Sequence, residues 1–297
     1  MELRHIRYFL VVAEQLNFTR AAGQLHIAQP PLSRQIQELE AELGVQLFTR
    51  TPHHLQLTEA GLIFKQDAQK ILDLVSKSTD EVKEANEGIG GTLYLGSVEG
   101  HGPHLIAEWI GVFKKQYPHV TYNIWNGNSD DVIDRVMNGL CDLAVIMEPY
   151  NAEGLSAIPV YKEPWVAIIP SSHPLAKEKG SVVSLQSLAC EELILPSRKS
   201  RIAEVLDWFS DTGKTPTVRC EIAHMTNAYY LARHHVGISI FPASALEVPS
   251  DGSVVIKTID DPHIRASYIL VWNKHHNLNQ LSKRFVKMIQ EKQNVTT

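Results

Sequence analysis

The spacing of apolar residues near the N-terminus predicts three short helices. The first presents a single apolar face formed by Ile6, Phe9, Leu10 and Ala13. A short second helix, which Asn17 or Thr19 can cap, carries Ala21, Ala22 and Leu25. The third has the spacing of a buried helix face at Leu32, Ile36, Leu39 and Leu43.

Two prolines stand at the start of the third predicted helix. Pro30 and Pro31 cost the helix little there, because the N–H groups of a first helical turn have no intrahelical partner. Gly44 follows the last apolar position, where glycine tolerates the left-handed conformation of a C-cap. With residues 26–29 as the turn, the second and third helices have helix-turn-helix spacing.

The polar residues of the third helix include the side chains best suited to contact DNA. Those outside the apolar stripe are Gln29, Pro30, Pro31, Ser33, Arg34 and Gln37. Glutamine can hydrogen-bond adenine edges, arginine can pair with guanine or phosphate, and serine can reach a base or a backbone oxygen. An ordinary amphipathic helix with a solvated polar face would show the same spacing.

Residues 47–58 form two extended pieces around residues 51–54, which predicts a β-wing. Thr58 can then cap a long helix over residues 59–87, where no proline occurs. Its apolar positions recur at spacings of four and three, interrupted by Ser78, at Phe64, Ala68, Ile71, Val75, Val82 and Ala85. A helix of about 30 residues spans about 45 Å, so we expect pairing with a second copy. The alternative is packing on its own chain's core.

Beyond the glycine-rich segment at residues 88–91, which we expect to act as a hinge, predicted strands alternate with helices. The strands are predicted at 92–96, 120–125, 143–146, 165–169, 218–222, 237–241 and 267–272. The helices are predicted at 105–117, 132–140, 202–211, 227–233 and beyond residue 278. This succession predicts parallel sheets with right-handed crossovers. Two linked α/β lobes with a cleft between them would bind a small molecule.

Composition narrows the class of protein. The 297 residues are 44% hydrophobic and 21% charged, as in ordinary globular chains. No apolar run approaches the roughly 18 residues of a membrane span, and the N-terminus is too charged for a signal peptide. We therefore expect a cytoplasmic protein without membrane association. Cys141, Cys190 and Cys220 are widely separated and predict neither a disulfide framework nor a zinc site.

The formal net charge of −5 does not by itself indicate a nucleic-acid-binding protein. DNA binding must therefore depend on where the few cations lie. The chain has no GxSxG, HExxH, P-loop or GxGxxG motif. The pairs His234-His235 and His275-His276 are adjacent in sequence, so their side chains diverge on a helix. We expect neither an enzyme nor a bound cofactor or metal.

In open α/β lobes, ligands bind where strands end and helices begin, because backbone amides and helix dipoles point there. Four such edges are predicted, at residues 97–103, 126–129, 197–201 and 224–227. We expect these four edges to meet in one cleft.

Three stretches resemble the N-terminal signature of the LysR-type transcriptional regulators. They are FTRAAGQL at 18–25, AQPPLSRQIQELEAELGVQLFTR at 28–50 and LTEAG at 57–61. The resemblance continues in HPLA at 173–176 and GISIFPAS at 237–244. MELRHIRYF and IAQPPLSRQIQ resemble the branch that controls catabolism of aromatic compounds. The resemblance implies a winged helix, a linker-helix dimer that usually forms a tetramer, and a two-lobed effector domain like a periplasmic binding protein.

Carried over residue by residue, the family pattern implies operator contacts by the polar face of the third helix and a phosphate held by Arg50. His53 and His54 stand where this branch places further arginine or lysine, so wing contacts are expected to be weaker or pH-sensitive. The alternative is two solvated histidines without a role. Dimerisation is expected through Phe64, Ala68, Ile71, Val75 and Val82. Expected partners are double-stranded promoter DNA, a small-molecule effector, further copies of the chain and RNA polymerase.

The resemblance places the effector in the cleft. The candidate contacts are Glu99, Gly100, His101, Asn128, Met147, Arg201, Thr226 and Asn227, and either Arg201 or Arg198 could pair with an acid's carboxylate. Gly100 stands where muconate-responsive relatives tend to carry a hydroxyl residue, and Met147 where they tend to carry arginine. The small run that usually precedes GxGI is replaced by residues 234–236. We expect an aromatic or carboxylic acid, and the effector of those relatives is not carried over to this chain.

The expected organisation has four parts. A winged helix-turn-helix occupies residues 1–58, a linker helix and hinge 59–91, lobe I 92–161 with 267–297, and lobe II 162–266. We expect an activator and repressor in which effector binding shifts the lobes toward closure and changes the bend of promoter DNA. A metal- or redox-responsive regulator of the same architecture is one alternative. A solute-binding protein or enzyme on the same lobes is another, and it would begin with a secretion signal or carry catalytic motifs.

Overall fold

The computed structural model describes residues 1–50, 54–84, 91–245 and 251–296. The chain divides into two compact units, Met1–Gly88 and Ile89–Thr297, and each is described by itself. Of the predicted hinge, residues 88–90 lie outside the described ranges. Gly91 is the first residue of a strand.

The N-terminal unit has the predicted order of three helices, wing and long helix. Its elements are α1 (Leu3–Gln15), α2 (Phe18–Gln24), α3 (Gln29–Leu43), β1 (Phe48–Arg50), β2 (Leu55–Leu57) and α4 (Glu59–Glu84). Asn17 is the cap of α2, since its side chain accepts the Arg20 N–H at 3.0 Å. The α3 helix begins at Gln29, just before the prolines, and Gly44 caps its end with a φ of 71°.

The core of this unit forms where the apolar faces of the helices meet. The Phe9 ring centroid lies 5.3 Å from that of Phe48 and 4.8 Å from that of Phe64. Leu32, Ile36 and Leu39 of α3 are completely buried, and each such side chain contributes about 1.5–3 kcal/mol to stability. Leu43 was wrongly predicted as part of this stripe. It is exposed because α3 ends there.

The N-terminal half of α4 packs on the core of its own unit. Ala68 is completely buried, and Phe64 and Ile71 are partly buried against the same cluster. This part of the predicted dimer seam therefore packs on the core of its own chain, which was the alternative prediction, because Phe64 contacts Phe9 there. Further along the helix Val75 is half-buried and Val82 is 74% exposed. Ala85 lies outside the described residues.

The C-terminal unit is α/β, as predicted. Its elements are β3 (Gly91–Ser97), α5 (Gly102–Gln116), β4 (Val120–Asn126), α6 (Ser129–Met137), β5 (Leu143–Met147), β6 (Leu155–Pro170), α7 (Pro174–Lys177), β7 (Val182–Val183), α8 (Leu185–Leu188), β8 (Glu192–Pro196), α9 (Lys199–Asp207), β9 (Thr217–Ile222), α10 (Thr226–Arg233), β10 (Ile238–Pro242), β11 (Val254–Ile259), β12 (Arg265–Asn273) and α11 (Gln280–Thr296).

Its strands form a mixed sheet in the order β4-β3-β5-β12-β6-β10-β8-β9, with β11 beside β6 and β7 beside β11. We call the part built on β3, β4, β5 and β12 lobe I, and the part built on β7 to β11 lobe II. Within lobe I, β3 runs parallel to β4 and β5. Within lobe II, β8 runs parallel to β9 and β10. The long strand β6 belongs to both lobes, because it pairs with β12 first and with β10 and β11 afterwards.

The strands of lobe II differ from the prediction. β7, β8 and β11 were missed, and the segment 165–169 is the end of β6, which runs antiparallel to β10. The parallel unit is β8-α9-β9 instead. A short apolar run such as that of β8 cannot be told from a helix segment by periodicity. The lobe boundary predicted between residues 161 and 162 lies inside β6, so a continuous strand joins the lobes there.

Candidate functional site

The outward face of α3 carries the residues predicted to contact DNA. Gln29, Pro30, Pro31, Arg34 and Gln37 are exposed, and Ser33 is half-buried. Arg34 Nε donates a hydrogen bond to Glu38 Oε1 at 3.0 Å, one turn further along the helix. These positions share one face because the opposite face of the helix is buried in the core.

Two contacts hold α3 in place within the N-terminal unit. Glu40 Oε1 accepts the Leu47 N–H at 2.8 Å and the Phe48 N–H at 3.1 Å, which ties the helix to the wing. His5 Nε2 lies 2.9 Å from Gln35 Oε1, which ties the helix to α1. Glu40 falls on the family pattern, but its role could not be read from sequence because a glutamate beside the apolar stripe of a helix looks like any other polar residue.

The wing residues are described only in part. Arg50 lies in β1 opposite Leu55, and its side chain is outside the described structure. His53 lies outside the described residues as well, whereas His54 is exposed. The DNA-binding roles of Arg50, His53 and His54 therefore stay predictions.

A cavity of about 980 Å³ lies between the lobes of the C-terminal unit. All four sheet edges expected from the sequence contribute to its lining. Glu99 comes from the first edge, Asn128 from the second, Arg201 from the third and Met225 from the fourth. Much of the remaining wall is aromatic or apolar, with Trp125, Met147, Tyr150, Ile222 and Phe241.

The eight predicted effector residues fall into two groups. Glu99, Asn128, Met147 and Arg201 line the cavity, whereas Gly100, His101, Thr226 and Asn227 do not. The His101 ring stacks on Tyr161 with centroids 3.8 Å apart, and its backbone N–H donates to Tyr268 Oη at 3.1 Å. Thr226 and Asn227 are exposed in the first turn of α10, just past the cavity edge at Met225.

Arg201 is a buried cation of the cavity lining, with 2% of its surface exposed. Its Nη1 donates to Glu204 Oε2 at 2.5 Å, and its guanidinium lies 4.9 Å from the centre of the Trp165 ring. Nη2 has no acceptor within the described part of the chain. Burial lowers the pKa of Arg201, yet an arginine side chain stays charged in a protein. Because an unpartnered buried donor costs about 1–3 kcal/mol, Nη2 is suited to an anionic ligand.

Each of the three guanidinium nitrogens of Arg198 donates one hydrogen bond to lobe I. Its Nε and Nη2 donate to the two carboxylate oxygens of Asp130 at 2.8 and 2.5 Å. Its Nη1 donates to the carbonyl oxygen of Pro149 at 2.6 Å. The sequence left Arg198 and Arg201 as alternatives for an acid's carboxylate. The geometry separates them, because every guanidinium nitrogen of Arg198 has an acceptor, whereas Nη2 of Arg201 has none among the described residues.

A second polar contact crosses the cavity at Glu99. Its Oε1 lies 2.9 Å from His224 Nδ1, and its Oε2 accepts the Met225 N–H at 2.7 Å. His224 and Met225 lie within the predicted fourth edge but were not among the candidate contacts. Asp130 was missed, although it directly follows the second predicted edge in the first turn of α6.

Two family models match the chain. Residues 3–62 match the bacterial regulatory helix-turn-helix protein of the lysR family, and residues 86–294 match the LysR substrate binding domain. The chain belongs to the LysR family of transcriptional regulators. It is a DNA-binding regulator with an effector-binding domain and not an enzyme.

Relatives of this LysR-type regulator match along nearly its whole length. It is 31% identical over 290 residues to the uncharacterized regulator YnfL of Escherichia coli (strain K12), covering 96% of each chain. It is 31% identical over 276 residues to BenM of Acinetobacter baylyi, covering 92% of this chain and 90% of BenM. The family resemblance found in the sequence is thereby confirmed.

Solved structures of the family match the whole regulator as well. The crystal structure of CbnR has a TM-score of 0.80 at 26% identity, covering 98% of this chain and 99% of CbnR. Full-length CbnR complexed with its target DNA has a TM-score of 0.77 at 26% identity, with the same coverage. Across the described ranges, none of the helices has the length and apolar character needed to cross a membrane.

Proposed function

We propose that this regulator responds to an aromatic or carboxylic acid bound between its lobes and that binding of the acid changes its affinity for promoter DNA. The observation that carries the proposal is Arg201, whose Nη2 has no acceptor among the described residues in a cavity walled by aromatic side chains. Arginine pairs with a carboxylate through strong, charge-assisted hydrogen bonds. An aromatic body would pack on Trp125, Tyr150 and Phe241, as in most small-molecule sites.

The part of the proposal that concerns DNA binding depends on α3. Gln29, Pro30, Pro31, Ser33, Arg34 and Gln37 contact the operator, Arg50 and His53 contact phosphates at the wing, and the free N–H groups of the first turn favour a phosphate. CbnR, which is similar to this chain along its whole length, forms a complex with its target DNA, and this supports DNA binding by the present regulator. Promoter DNA and RNA polymerase as partners place the regulator in the cytoplasm.

Self-association belongs to the same proposal. The exposed part of α4, with Val75 and Val82 seven residues apart on one face, pairs with a second copy. Dimers then join as tetramers, so that two recognition helices reach two half-sites of an interrupted palindrome. Acid binding shifts the equilibrium between open and closed lobes, and lobe closure then alters how the dimers are arranged on DNA.

The alternative of a metal- or redox-responsive regulator has less support. Within the described ranges, no group of three or more His, Cys, Asp or Glu side chains is placed to hold a metal ion. Cys190 is exposed, whereas Cys141 is buried. A redox response would be abolished by replacing Cys141, Cys190 and Cys220 with serine, whereas a response to an acid would persist.

A thermal-shift screen of aromatic and dicarboxylic acids tests the proposal, because a ligand that binds only the native state raises its Tm. We expect at least one acid to raise the Tm of the wild type. The same acid should not raise the Tm of Arg201→Gln, because the anion has lost its hydrogen-bond donor there. Arg219→Gln is the matched control, because Arg219 is exposed and pairs with Glu192 away from the cavity. No shift across the panel, or an equal shift in Arg201→Gln, would count against acid binding at this site.

A further inference from the structure

Two polar contacts cross the cavity from one lobe to the other. In the first, Arg198, which precedes α9 in lobe II, donates to both carboxylate oxygens of Asp130 in α6 of lobe I. Arg198 also donates to the carbonyl oxygen of Pro149, which follows β5 in lobe I. We call these three hydrogen bonds the arginine bridge. The Arg198 side chain is 13% exposed and that of Asp130 is 63% exposed, so water screens the two charges in part.

The second contact starts from Glu99, which follows β3 in lobe I. Its Oε1 lies 2.9 Å from His224 Nδ1, and its Oε2 accepts the Met225 N–H at 2.7 Å. His224 and Met225 both lie between β9 and α10 in lobe II. We call these two hydrogen bonds the glutamate bridge. The arginine bridge thus links the third sheet edge to the helix that begins at the second, and the glutamate bridge links the first edge to the fourth.

The two bridges differ in kind from the connection that β6 makes between the lobes. Because β6 pairs with strands of both lobes, it joins them through continuous backbone. Such a connection persists whether the lobes are open or closed, since hinge motion needs only a few changed backbone dihedral angles. The bridges, by contrast, exist only while the facing edges lie within hydrogen-bonding distance. They therefore stabilise the closed arrangement and contribute nothing to an open one.

We propose that the arginine bridge and the glutamate bridge set the equilibrium between open and closed lobes on which the acid acts. Asp130 and Glu99 are then positioning residues, because each acts through a partner in the opposite lobe. Before acid binds, the bridges favour the closed arrangement, and acid at Arg201 adds its own contacts to the same equilibrium. The inference rests on the proposed acid-binding function and adds the residues that determine how far the lobes close without acid.

A thiol on the cavity wall can report lobe opening without any ligand. Met147 lines the cavity and is 6% exposed, so the thiol introduced by Met147→Cys should react with iodoacetamide mainly while the lobes are open. Cys190 and Cys220 are replaced by serine in this full-length parent protein. Cys141, which is buried in lobe I between α6 and β5, remains as an internal reference. Where opening and closing are fast relative to the reaction, the labelling rate follows the open population.

We expect Asp130→Asn and Arg198→Gln each to raise the labelling rate of the introduced thiol by at least about threefold, because each loses a partly screened charged contact. The two substitutions combined should label no faster than Arg198→Gln alone, since Asp130 acts through Arg198. Glu99→Ala should raise the rate as well. Its effect should multiply with that of Asp130→Asn, because the two bridges contribute separately to one equilibrium. The rate at Cys141 should stay unchanged in every variant, as measured by mass spectrometry.

Asp134→Asn is the matched control for Asp130→Asn. Asp134 is an exposed acid of the same helix, lies outside the cavity lining and accepts a hydrogen bond from Asn138 Nδ2 of lobe I at 2.9 Å. The substitution therefore removes a carboxylate from α6 without removing a contact to lobe II. Its labelling rate should equal that of the parent protein.

An unchanged rate in Asp130→Asn or in Glu99→Ala, or an equal rise in Asp134→Asn, would overturn the inference. A parallel rise at Cys141 would overturn it too, because lobe I would then be losing structure instead of separating from lobe II. None of these results concerns binding at Arg201, so the proposed function would stand. If no acid of the thermal-shift screen binds, the proposed function fails, and the labelling rates still decide whether the bridges hold the lobes closed.

Discussion

At the scale of single residues, a buried hydrogen-bond cluster joins the lobes next to the cavity. Glu163 is buried and accepts the Ser244 N–H at 2.8 Å, the Ser244 Oγ–H at 2.6 Å and the Tyr268 Oη–H at 2.7 Å. Burial, followed by the charge of Glu163, raises the pKa of Tyr268. The hydroxyl therefore stays protonated, donates to Glu163 and accepts the His101 N–H.

Gly100 lies against this cluster and tolerates no side chain. Its φ is +85°, and an added Cβ would lie 2.5 Å from Tyr268 Oη. We expect Gly100→Ala to reduce the free energy of unfolding of the C-terminal unit by about 1–3 kcal/mol, measured by urea denaturation. Gly111→Ala is the control, because no heavy atom lies within 4 Å of its Cβ position in α5. Gly111→Ala should raise the free energy of unfolding by about 0.5–1 kcal/mol. An equal decrease of this free energy in both variants would contradict the prediction.

His101 should make stability depend on pH. Its pKa is lowered by burial, with a smaller opposing effect of Glu163. As pH falls below about 6.5, the ordinary pKa of histidine, the unfolded chain binds the proton before the folded one does. Stability contributed by neutral His101 is therefore present above that pH and is lost as pH falls toward its lowered folded pKa. Measured by urea denaturation between pH 7.5 and 5, the free energy of unfolding should fall less in His101→Gln than in the wild type. Equal falls in the two proteins would exclude this role.

Sequence could locate these residues but not their contacts. Arg198 and Arg201 both stood at a predicted sheet edge, and only the structure shows that Asp130 and the Pro149 carbonyl accept hydrogen bonds from Arg198. Gly100 and His101 stood at the same edge as Glu99, yet a φ of +85° at Gly100 and the stack on Tyr161 direct them elsewhere. Such choices depend on contacts between residues far apart in the sequence, which no local pattern encodes.

At the scale of elements, the amphipathic helices were predictable and the short buried strands were not. The stripe of α3 at Leu32, Ile36 and Leu39 and the caps at Asn17 and Gly44 are local signals, and they are confirmed. β8 and β11 were missed because a short apolar run carries no periodicity that separates strand from helix. The seam of α4 was predicted as one surface, but its beginning packs against Phe9, a contact that spacing alone cannot reveal.

The exposed face of α3 should carry operator recognition. Ser33→Ala combined with Arg34→Ala removes two predicted base or phosphate contacts, each of which can contribute about 1–3 kcal/mol of discrimination. We expect specific footprints on the DNA upstream of the regulator's own gene to disappear while the oligomer stays intact. Arg219→Ala in lobe II serves as the control. Retained footprints in the double variant would refute α3 as the recognition helix.

The outer part of α4 should carry self-association. Val82 is 74% exposed in the chain, so a charge there costs the fold little but would be buried in a helix pair. We expect Val82→Glu to weaken self-association at least about tenfold, measured by light scattering after size exclusion at several concentrations. Gln66→Glu, at an exposed position of the same helix, is the control. An unchanged mass for Val82→Glu would show that this face does not pair.

At the scale of the whole molecule, sequence and structure agree on the order of the parts. The helix-turn-helix, the wing, the long helix and the α/β lobes follow one another as predicted, and the four predicted sheet edges meet in one cavity. The division into residues 1–58, 59–91 and two lobes stays a proposal, and β6 shows that the lobes share a strand. The identity of the ligand was beyond the sequence, because it depends on which charges in the cavity are already paired.

The central claim is that an acid at Arg201 controls DNA binding, and the affinity for promoter DNA tests it most directly. The measurement is fluorescence anisotropy of the full-length protein on its promoter fragment, with and without the screened acid that raises the Tm most. We expect that acid to change the DNA affinity of the wild type by about 5-fold to 150-fold, the usual range of coupling between sites. Arg201→Gln should bind the same DNA with an affinity that the acid does not change. An unchanged affinity in the wild type, or an equal change in Arg201→Gln, would contradict the account.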